Sequence, residues 1–147
     1  MKLTKLLAST LVCLTVLCSP TILADTNKTQ QILCLAKNIY FEARGEPHTG
    51  KLAVAQVTMN RTQHPQFMGS VCSVVYSPRQ FSWTLKPQRI IDLVAWQEAK
   101  QLAHDVITGK LALEGFDALY FHTKQIKPRW RKHKRSVTTI GNHVFYK

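Results

Sequence analysis

The sequence predicts an α+β fold, with helices first and a small antiparallel sheet in the C-terminal third. Apolar residues recur at three- and four-residue steps through much of residues 26–108, which is the spacing of helices that bury one face. After residue 117 the chain changes to short runs of β-branched and aromatic residues, two of which are separated by a Gly-Asn pair. Helices followed by a hairpin are typical of an α+β domain.

The first 24 residues have the layout of a secretory signal peptide. Basic residues in Met1–Lys5 precede a nearly continuous apolar segment, residues 6–17, and small residues then lead to a cleavage site after Ala24. The apolar segment is short for crossing a bilayer, although an uncleaved membrane anchor is the alternative. We therefore expect residues 1–24 to be removed. Residues 25–147 then form one exported domain in the periplasm, in the cell envelope or outside the cell.

Helical periodicity and end signals define the helical part. The predicted helices are Thr26–Arg44, Thr49–Arg61, Val71–Tyr76 and Gln88–Thr108. The first ends at Gly45 with Pro47 just beyond, and the last ends at Gly109, as helix C-termini commonly do. The segment Arg79–Pro87 is a predicted loop with two exposed aromatic residues. The last helix is expected to bury Ile91, Val94, Ala95, Leu102 and Val106 and to expose Asp92, Glu98 and Asp105.

Three strands are predicted near the C-terminus. Ala118–His122 and Val137–Ile140 have the residue types of strands, and His143–Tyr146 reads as the return strand of a hairpin. Gly141 and Asn142 between the last two strands form a turn signal. We expect a small antiparallel sheet packed on the helices.

Cysteine use favours one disulfide. Cys13 and Cys18 lie in the predicted signal peptide, which leaves Cys34 and Cys72 in the exported domain. Their bond would close a long loop and stabilise the fold by roughly 3–4 kcal/mol, whereas two buried free thiols are the alternative. The sequence has no CxxC or HExxH motif and its His residues are scattered, so no metal and no cofactor are expected.

The formal net charge is +12, and only Lys2 and Lys5 of the basic residues precede the predicted cut. An exported basic protein meets anionic polymers of the cell wall, such as peptidoglycan and teichoic acids. Nucleic acid is a less favoured partner outside the cytoplasm. The basic run Lys127–Arg135 contains one Trp, which offers little base stacking. We expect a solvated loop that attracts wall polymers without specifying them.

Glu42 is the main candidate for chemistry. It follows Ile39, Tyr40 and Phe41 directly, so it is expected at the packed face of a helix. A carboxyl group held against aromatic surface has a raised pKa and stays protonated near neutral pH, as a general acid for glycosidic cleavage must. A buried ion pair with Arg44 or Arg61 is an equally weighted interpretation of these residues.

The other carboxylates have simpler interpretations. Asp25 lies at the predicted new terminus, Glu114 and Asp117 lie in a connector, and three others lie on the exposed face of the last helix. Glu46 shares the motif of Glu42, but Gly45 is expected to turn it away toward a basic neighbour or a positioning role.

Two further segments are candidates for substrate contact. Phe81-Ser82-Trp83 combines aromatic faces, on which sugar rings stack, with a hydroxyl group; covering the edge of the core is the alternative. His122 ends a predicted strand and is expected either to face a cleft or to serve as a structural histidine. The sequence has no GxSxG motif, and a Cys-His hydrolase would need a free thiol.

Taken in order, these residues resemble the SleB-type cell-wall hydrolases, the family of the spore cortex-lytic enzyme. The matching segments are Tyr40–Pro47, Gly50–Ala55 with Asn60-Arg61, Gln80–Trp83, Ala118–His122, Pro128–Trp130 and Ile140–Tyr146. The Glu-Ala-Arg-Gly-Glu segment is the specific part. The resemblance covers nearly all of residues 25–147. We expect no separate peptidoglycan-binding repeat domain of the kind that the spore enzyme has, so cortex specificity is not carried over.

The resemblance implies a helix-rich, lysozyme-like domain related to lytic transglycosylases. It implies cleavage of peptidoglycan between N-acetylmuramic acid and N-acetylglucosamine, with Glu42 as the catalytic acid. One catalytic glutamate favours attack by the muramic C6 hydroxyl and an anhydro-muramyl product. The predicted substrate-binding residues are Tyr40, Arg44, Glu46, Gln80, Phe81, Ser82, Trp83 and His122. Alternatives are a muramidase-type hydrolase, an N-acetylmuramoyl amidase, and a non-catalytic cationic protein that binds wall or DNA.

Overall fold

The computed structural model describes residues 20–67 and 69–147, with only the backbone described for residues 20–25. Its elements are α1 (Pro20–Ala43), α2 (His48–Gln63), α3 (Val71–Val75), α4 (Leu93–Ile107), β1 (Tyr120–Thr123), β2 (Ser136–Ile140) and β3 (His143–Tyr146), with 3-10 turns at Ser82–Leu85 and Arg129–His133. Residues 1–19, and with them most of the predicted signal peptide, lie outside the described residues. None of the described helices combines the length and apolarity needed to cross a bilayer.

The predicted α+β fold is confirmed. All four predicted helices and all three strands are present, and β3 has the predicted bounds. The strands form one antiparallel sheet in the order β1-β3-β2, with Phe121 opposite Phe145. The predicted basic loop contains a 3-10 turn at Arg129–His133. Helices therefore build most of the domain and the sheet closes its C-terminal side.

The start of α4 differs from the prediction. The helix begins at Leu93, later than periodicity indicates, because Asp92 caps it with a hydrogen bond from the Ala95 N–H at 2.9 Å. Just before the helix, the hydroxyl of Tyr40 accepts the N–H groups of Ile91 at 3.2 Å and of Asp92 at 3.0 Å. A tertiary contact thus satisfies backbone donors in an extended segment that local sequence assigned to the helix.

The expected apolar face of α4 was also partly wrong. Ile91 and Val94 are 77% and 73% exposed, whereas Leu102 and Val106 are buried as expected. Ala99 and Ala103 complete the buried stripe. The later start of the helix removes Ile91 from it altogether.

The core has two connected parts. The first surrounds α1, whose residues Leu35, Ile39 and Tyr40 are fully buried against α3 and α4. The second joins α2 to the sheet through Val54 and Phe145. Because α1 contacts three other helices, its C-terminal end is held firmly where the chain turns toward α2.

The predicted disulfide is confirmed. Cys34 in α1 is bonded to Cys72 in α3, with the two Cα atoms 5.2 Å apart. The bond ties the five-residue helix α3 to the central helix. It thereby also anchors the loop that follows α3 and contains Gln80 and Ser82.

Candidate active site

A cleft of about 280 Å³ lies between the end of α1, the loop after α3 and the sheet. Its lining residues are Glu42, Arg61, Gln80, Phe81, Ser82, Phe121, His122, Thr123, Ile126, Pro128, Trp130 and His143. Five predicted site residues therefore converge here from three separate segments: Glu42, Gln80, Phe81, Ser82 and His122. The cleft is open on one side.

Glu42 is the only acidic residue among those that line the cleft within the described part of the chain. Burial raises the pKa of its carboxyl group from 4.5 to about 7, and the positive charge of Arg61 opposes this rise. Within residues 26–67 and 69–147, the carboxyl group makes no hydrogen bond and no ion pair within 4.0 Å. The alternative of a direct ion pair with Arg44 or Arg61 is therefore not what the structure shows.

Arg61 of α2 is the buried cation of the site, with 6% of its surface exposed. Its Nε donates to the carbonyl of Leu119 at 2.8 Å, and one terminal nitrogen donates to Oε1 of Gln80 at 3.0 Å. The guanidinium also lies within 6 Å of three ring centroids, those of Phe67, Phe81 and Tyr120. Burial lowers the pKa of Arg61 to about 10, so it remains charged at neutral pH. Arg61 thus joins the loop at Gln80 to the strand that carries His122.

The aromatic-polar loop divides between two surfaces. Phe81 was expected to be exposed, but it is 4% exposed and packs into the core while one side lines the cleft. Ser82 is exposed at the cleft wall. Trp83 points the other way and stacks on Phe41, with ring centroids 4.8 Å apart. It lines a separate groove of about 520 Å³, together with Tyr76.

His122 lies at the wall of the cleft in a fixed orientation. Its Nδ1 is 2.8 Å from the carbonyl oxygen of Thr123, and its Nε2 is 3.0 Å from the hydroxyl of Tyr146. A carbonyl oxygen only accepts, so Nδ1 carries the proton and Nε2 accepts from Tyr146 in the neutral ring. Stacking on Tyr146 and an edge contact with Trp130 fix the ring plane. His122 therefore serves as a wall residue with both nitrogens engaged.

Glu46 links the end of α1 to the β2–β3 hairpin and is absent from the cleft lining. Its Oε2 accepts the N–H of Asn142 at 2.8 Å, and its Oε1 lies 3.8 Å from Nδ1 of His143. Gly141 has a positive φ of 56°, and a Cβ there would overlap the Glu46 carboxylate. The buried His143 in turn lines the cleft, and desolvation lowers its pKa. Glu46 thus positions the hairpin beneath the site.

Tyr40 and Arg44 lie on the far side of α1 from the cleft. Tyr40 is fully buried, and its hydroxyl is used by the segment before α4. Arg44 donates to that hydroxyl at 3.1 Å and covers the ring at 5.1 Å from its centroid. In the structure, these two predicted substrate-binding residues therefore hold the segment before α4 in place.

Residues 45–146 match the model of the Cell Wall Hydrolase family. The chain belongs to this family. The matched residues begin three positions after Glu42, so its assignment rests on the geometry of the cleft. Spore cortex-lytic enzymes of Bacillus cereus and Bacillus subtilis are 33% identical over 116 residues and 34% identical over 115 residues. The matches cover 79% and 78% of this chain, but the chain spans 44% and 36% of those relatives.

Solved structures agree with the family and with the predicted fold class. The catalytic domain of the germination-specific lytic transglycosylase SleB from Bacillus anthracis has a TM-score of 0.64 and 28% identity, and covers 80% of this chain and 93% of that one. The catalytic domain of Bacillus cereus SleB has a TM-score of 0.62 and 29% identity, with coverage of 80% and 91%. This cell wall hydrolase family member thus shares its fold with the catalytic domains of these two proteins.

Seven of the residues that line the cleft were not singled out as site residues from the sequence, and Arg61, Trp130 and His143 are the most notable of them. Arg61 appears in the motif Asn60-Arg61, but its cleft position depends on tertiary contacts with β1. Trp130 belongs to the basic run, which was interpreted as a solvated loop. Its ring contacts with Tyr146 and His122 are visible only in the structure. Across the described residues, no three His, Cys, Asp or Glu side chains cluster closely enough to hold a metal ion.

Proposed function

We propose that this chain cleaves the glycan strands of peptidoglycan between N-acetylmuramic acid and N-acetylglucosamine, with Glu42 as the catalytic acid. The observation that carries the proposal is a carboxyl group with a pKa of about 7, facing an open cleft without a hydrogen-bond partner among the described residues. Such a group is protonated in a large fraction of molecules at neutral pH and is free to meet a substrate oxygen. The names of the relatives, spore cortex-lytic enzyme and lytic transglycosylase, support the same substrate class.

In the first step, the Glu42 proton passes to the glycosidic oxygen as the bond from this oxygen to the muramic C1 breaks. The sugar C1 acquires oxocarbenium character, and the N-acetylglucosamine hydroxyl leaves. Glu42 is now a carboxylate, and the positive charge of Arg61 favours this form. Arg61 therefore helps the acid to release its proton, while burial keeps the proton available beforehand.

In the second step, the Glu42 carboxylate takes the proton from the muramic C6 hydroxyl, and the oxygen of that hydroxyl bonds to C1. This gives a 1,6-anhydro-muramyl end and restores the protonated acid. No second carboxylate stands among the described lining residues to act as a nucleophile, and Glu46 is tied to the hairpin. Ring closure within one sugar is fast because both reacting groups belong to the same molecule. Attack by water instead would make the chain a muramidase.

Polar side chains on one wall and ring surfaces on the other are suited to hold the sugar. Gln80 and Ser82 lie on one wall and His122 on the other, with Trp130 beside it as an aromatic surface. Trp83 and Tyr76 line the separate groove of about 520 Å³, which offers aromatic surface to further sugar rings. Tyr40, Arg44 and Glu46 act through the positions of α4 and the hairpin.

We further propose that the chain is exported by its first 24 residues and acts in the cell envelope or outside the cell. Its positive charge brings it to peptidoglycan and other anionic wall polymers. The run Lys127–Arg135, largely exposed around the Arg129–His133 turn, lies next to the cleft residue Trp130 and adds to this attraction. We expect no nucleic-acid partner and no cofactor.

The test is Glu42→Gln (E42Q) in a peptidoglycan gel assay, with Glu114→Gln as the matched control because Glu114 is exposed and outside the cleft. We expect E42Q to lose about 10²-fold or more of the lytic rate and E114Q to keep it. Lysis by E42Q at the wild-type rate would remove Glu42 from the mechanism. Freed stem peptides would indicate an amidase, and salt-sensitive binding without turnover would indicate a cationic binding protein.

A further inference from the structure

A second pocket, of about 390 Å³, adjoins the Glu42 cleft. Its lining residues are Arg61, Gln66, Arg79, Gln80, Tyr120, Phe121, Trp130 and Lys134, and we call it the basic subsite. It shares Arg61, Gln80, Phe121 and Trp130 with the cleft, so the two form one surface divided by these side chains. The basic subsite is therefore next to the position that a sugar would take in the cleft.

The basic subsite has two cations without acidic partners. Arg79 and Lys134 make no ion pair within the described residues, and no acidic residue is among those that line the pocket. The Lys134 ammonium lies 4.0 Å from the centroid of the Tyr120 ring, which holds it at the wall. The third cation, Arg61, already donates to Leu119 and Gln80. Arg79 and Lys134 are therefore the groups available to an anion.

Arg79 is held in an unusual backbone conformation. Its φ is +64°, and it is the one non-glycine residue with positive φ in the described parts of the chain. A side chain with a Cβ disfavours this region, and such conformations concentrate at ligand sites. The conformation sets Arg79 directly before Gln80, whose amide oxygen is fixed by Arg61 at 3.0 Å. The loop thus places a charged side chain beside the wall that both pockets share.

We propose that the basic subsite binds a carboxylate carried by the C3 substituent of the muramic acid residue whose linkage is cut. The proposal rests on the function proposed above and names how the site tells its two sugars apart. N-acetylmuramic acid differs from N-acetylglucosamine by a lactyl ether, which ends in its own carboxylate or continues into a stem peptide that bears carboxylates. Arg79 and Lys134 bind this anion, and the muramic residue is thereby oriented with its C1 at Glu42.

Binding measured with an inactive enzyme tests this without turnover. The background is E42Q, and the test variant adds Arg79→Gly and Lys134→Gln; glycine accepts the positive φ, so the backbone keeps its shape. The matched control adds Lys28→Gln and Lys110→Gln, which remove the same charge from exposed positions outside both pockets. The probes are soluble glycan fragments with stem peptides, fragments stripped to the free lactyl carboxylate, and both kinds with their carboxylates amidated.

We expect R79G/K134Q to weaken binding of carboxylate-bearing fragments by about tenfold or more, since hydrogen bonds to charged groups are the stronger ones. Amidated fragments should bind equally to E42Q and to the variant that adds R79G/K134Q. The control variant with Lys28→Gln and Lys110→Gln should bind every probe as tightly as E42Q does. A loss on stripped fragments identifies the lactyl carboxylate, and a loss confined to peptide-bearing fragments identifies the stem.

The proposal would be overturned if R79G/K134Q bound every probe as tightly as E42Q alone. It would also be overturned if R79G/K134Q weakened the binding of amidated fragments as much as that of carboxylate-bearing fragments. The outcome is separate from that of the gel assay, because lytic activity of E42Q refutes the role of Glu42 whether or not the variants discriminate between the probes.

Discussion

Replacing Glu42 by glutamine should stabilise the protein at alkaline pH. The folded state raises the pKa of this carboxyl group from 4.5 to about 7, so folding favours the protonated form. Below pH 4.5 this contribution is fully present, and it is lost as the pH rises through 7. At 1.36 kcal/mol per pKa unit, the rise in the pKa of Glu42 corresponds to about 3 kcal/mol of folding free energy. Partial exposure of the carboxyl group reduces this contribution to about 1–3 kcal/mol. E42Q stays neutral and does not incur this loss.

The assay is chemical unfolding of wild type, E42Q and E114Q at pH 4 and at pH 8, with the disulfide intact. We expect wild type and E42Q to have similar free energies of unfolding at pH 4. At pH 8, E42Q should be more stable by about 1–3 kcal/mol, while E114Q follows wild type at both values. The same difference at both pH values, or a less stable E42Q at pH 8, would show that burial does not hold the Glu42 proton.

Three other predictions address activity and stability. Lytic activity should fall as the pH rises above about 7, because the acid form of Glu42 is lost; a flat profile from pH 6 to pH 9 would contradict this. Replacing both Cys34 and Cys72 by serine should lower the free energy of unfolding by about 3–4 kcal/mol, measured against wild type with and without reductant. Glu46→Gln should cost about 1–3 kcal/mol by weakening the hydrogen bond from Asn142, and unchanged stability would dismiss this link.

Local signals were sufficient for most of the fold. Gly45 and Pro47 mark the end of α1, and Gly141 with Asn142 marks the hairpin, because these positions depend on backbone preferences within a few residues. The predicted start of α4 was wrong because it depends on a contact between residues that are distant in the chain. The hydroxyl of Tyr40, about fifty residues away in the chain, binds the backbone there and holds it outside the helix. No local pattern contains that contact.

In the candidate site, too, local sequence was enough for some residues, whereas the roles of others depend on tertiary contacts. Glu42 was identifiable because a carboxyl group directly after three apolar residues is unusual, and the structure adds the burial that raises its pKa. Arg61 was expected at most as an ion-pair partner, yet its hydrogen bonds join α2 to Leu119 and Gln80. Tyr40 was predicted to help bind the substrate, but it is not among the residues that line the cleft. On a helix, neighbours in sequence point in different directions, and Tyr40 faces the core.

The central claim is that Glu42 drives glycan cleavage, and the mass spectrum of released wall fragments tests it most directly. Purified peptidoglycan is digested in parallel by wild type, E42Q and E114Q, each shown to be folded. Wild type and E114Q should release fragments with anhydro-muramyl ends, and E42Q should release almost none. Anhydro fragments from E42Q at the wild-type rate, or freed stem peptides from wild type with intact glycan, would contradict the claim.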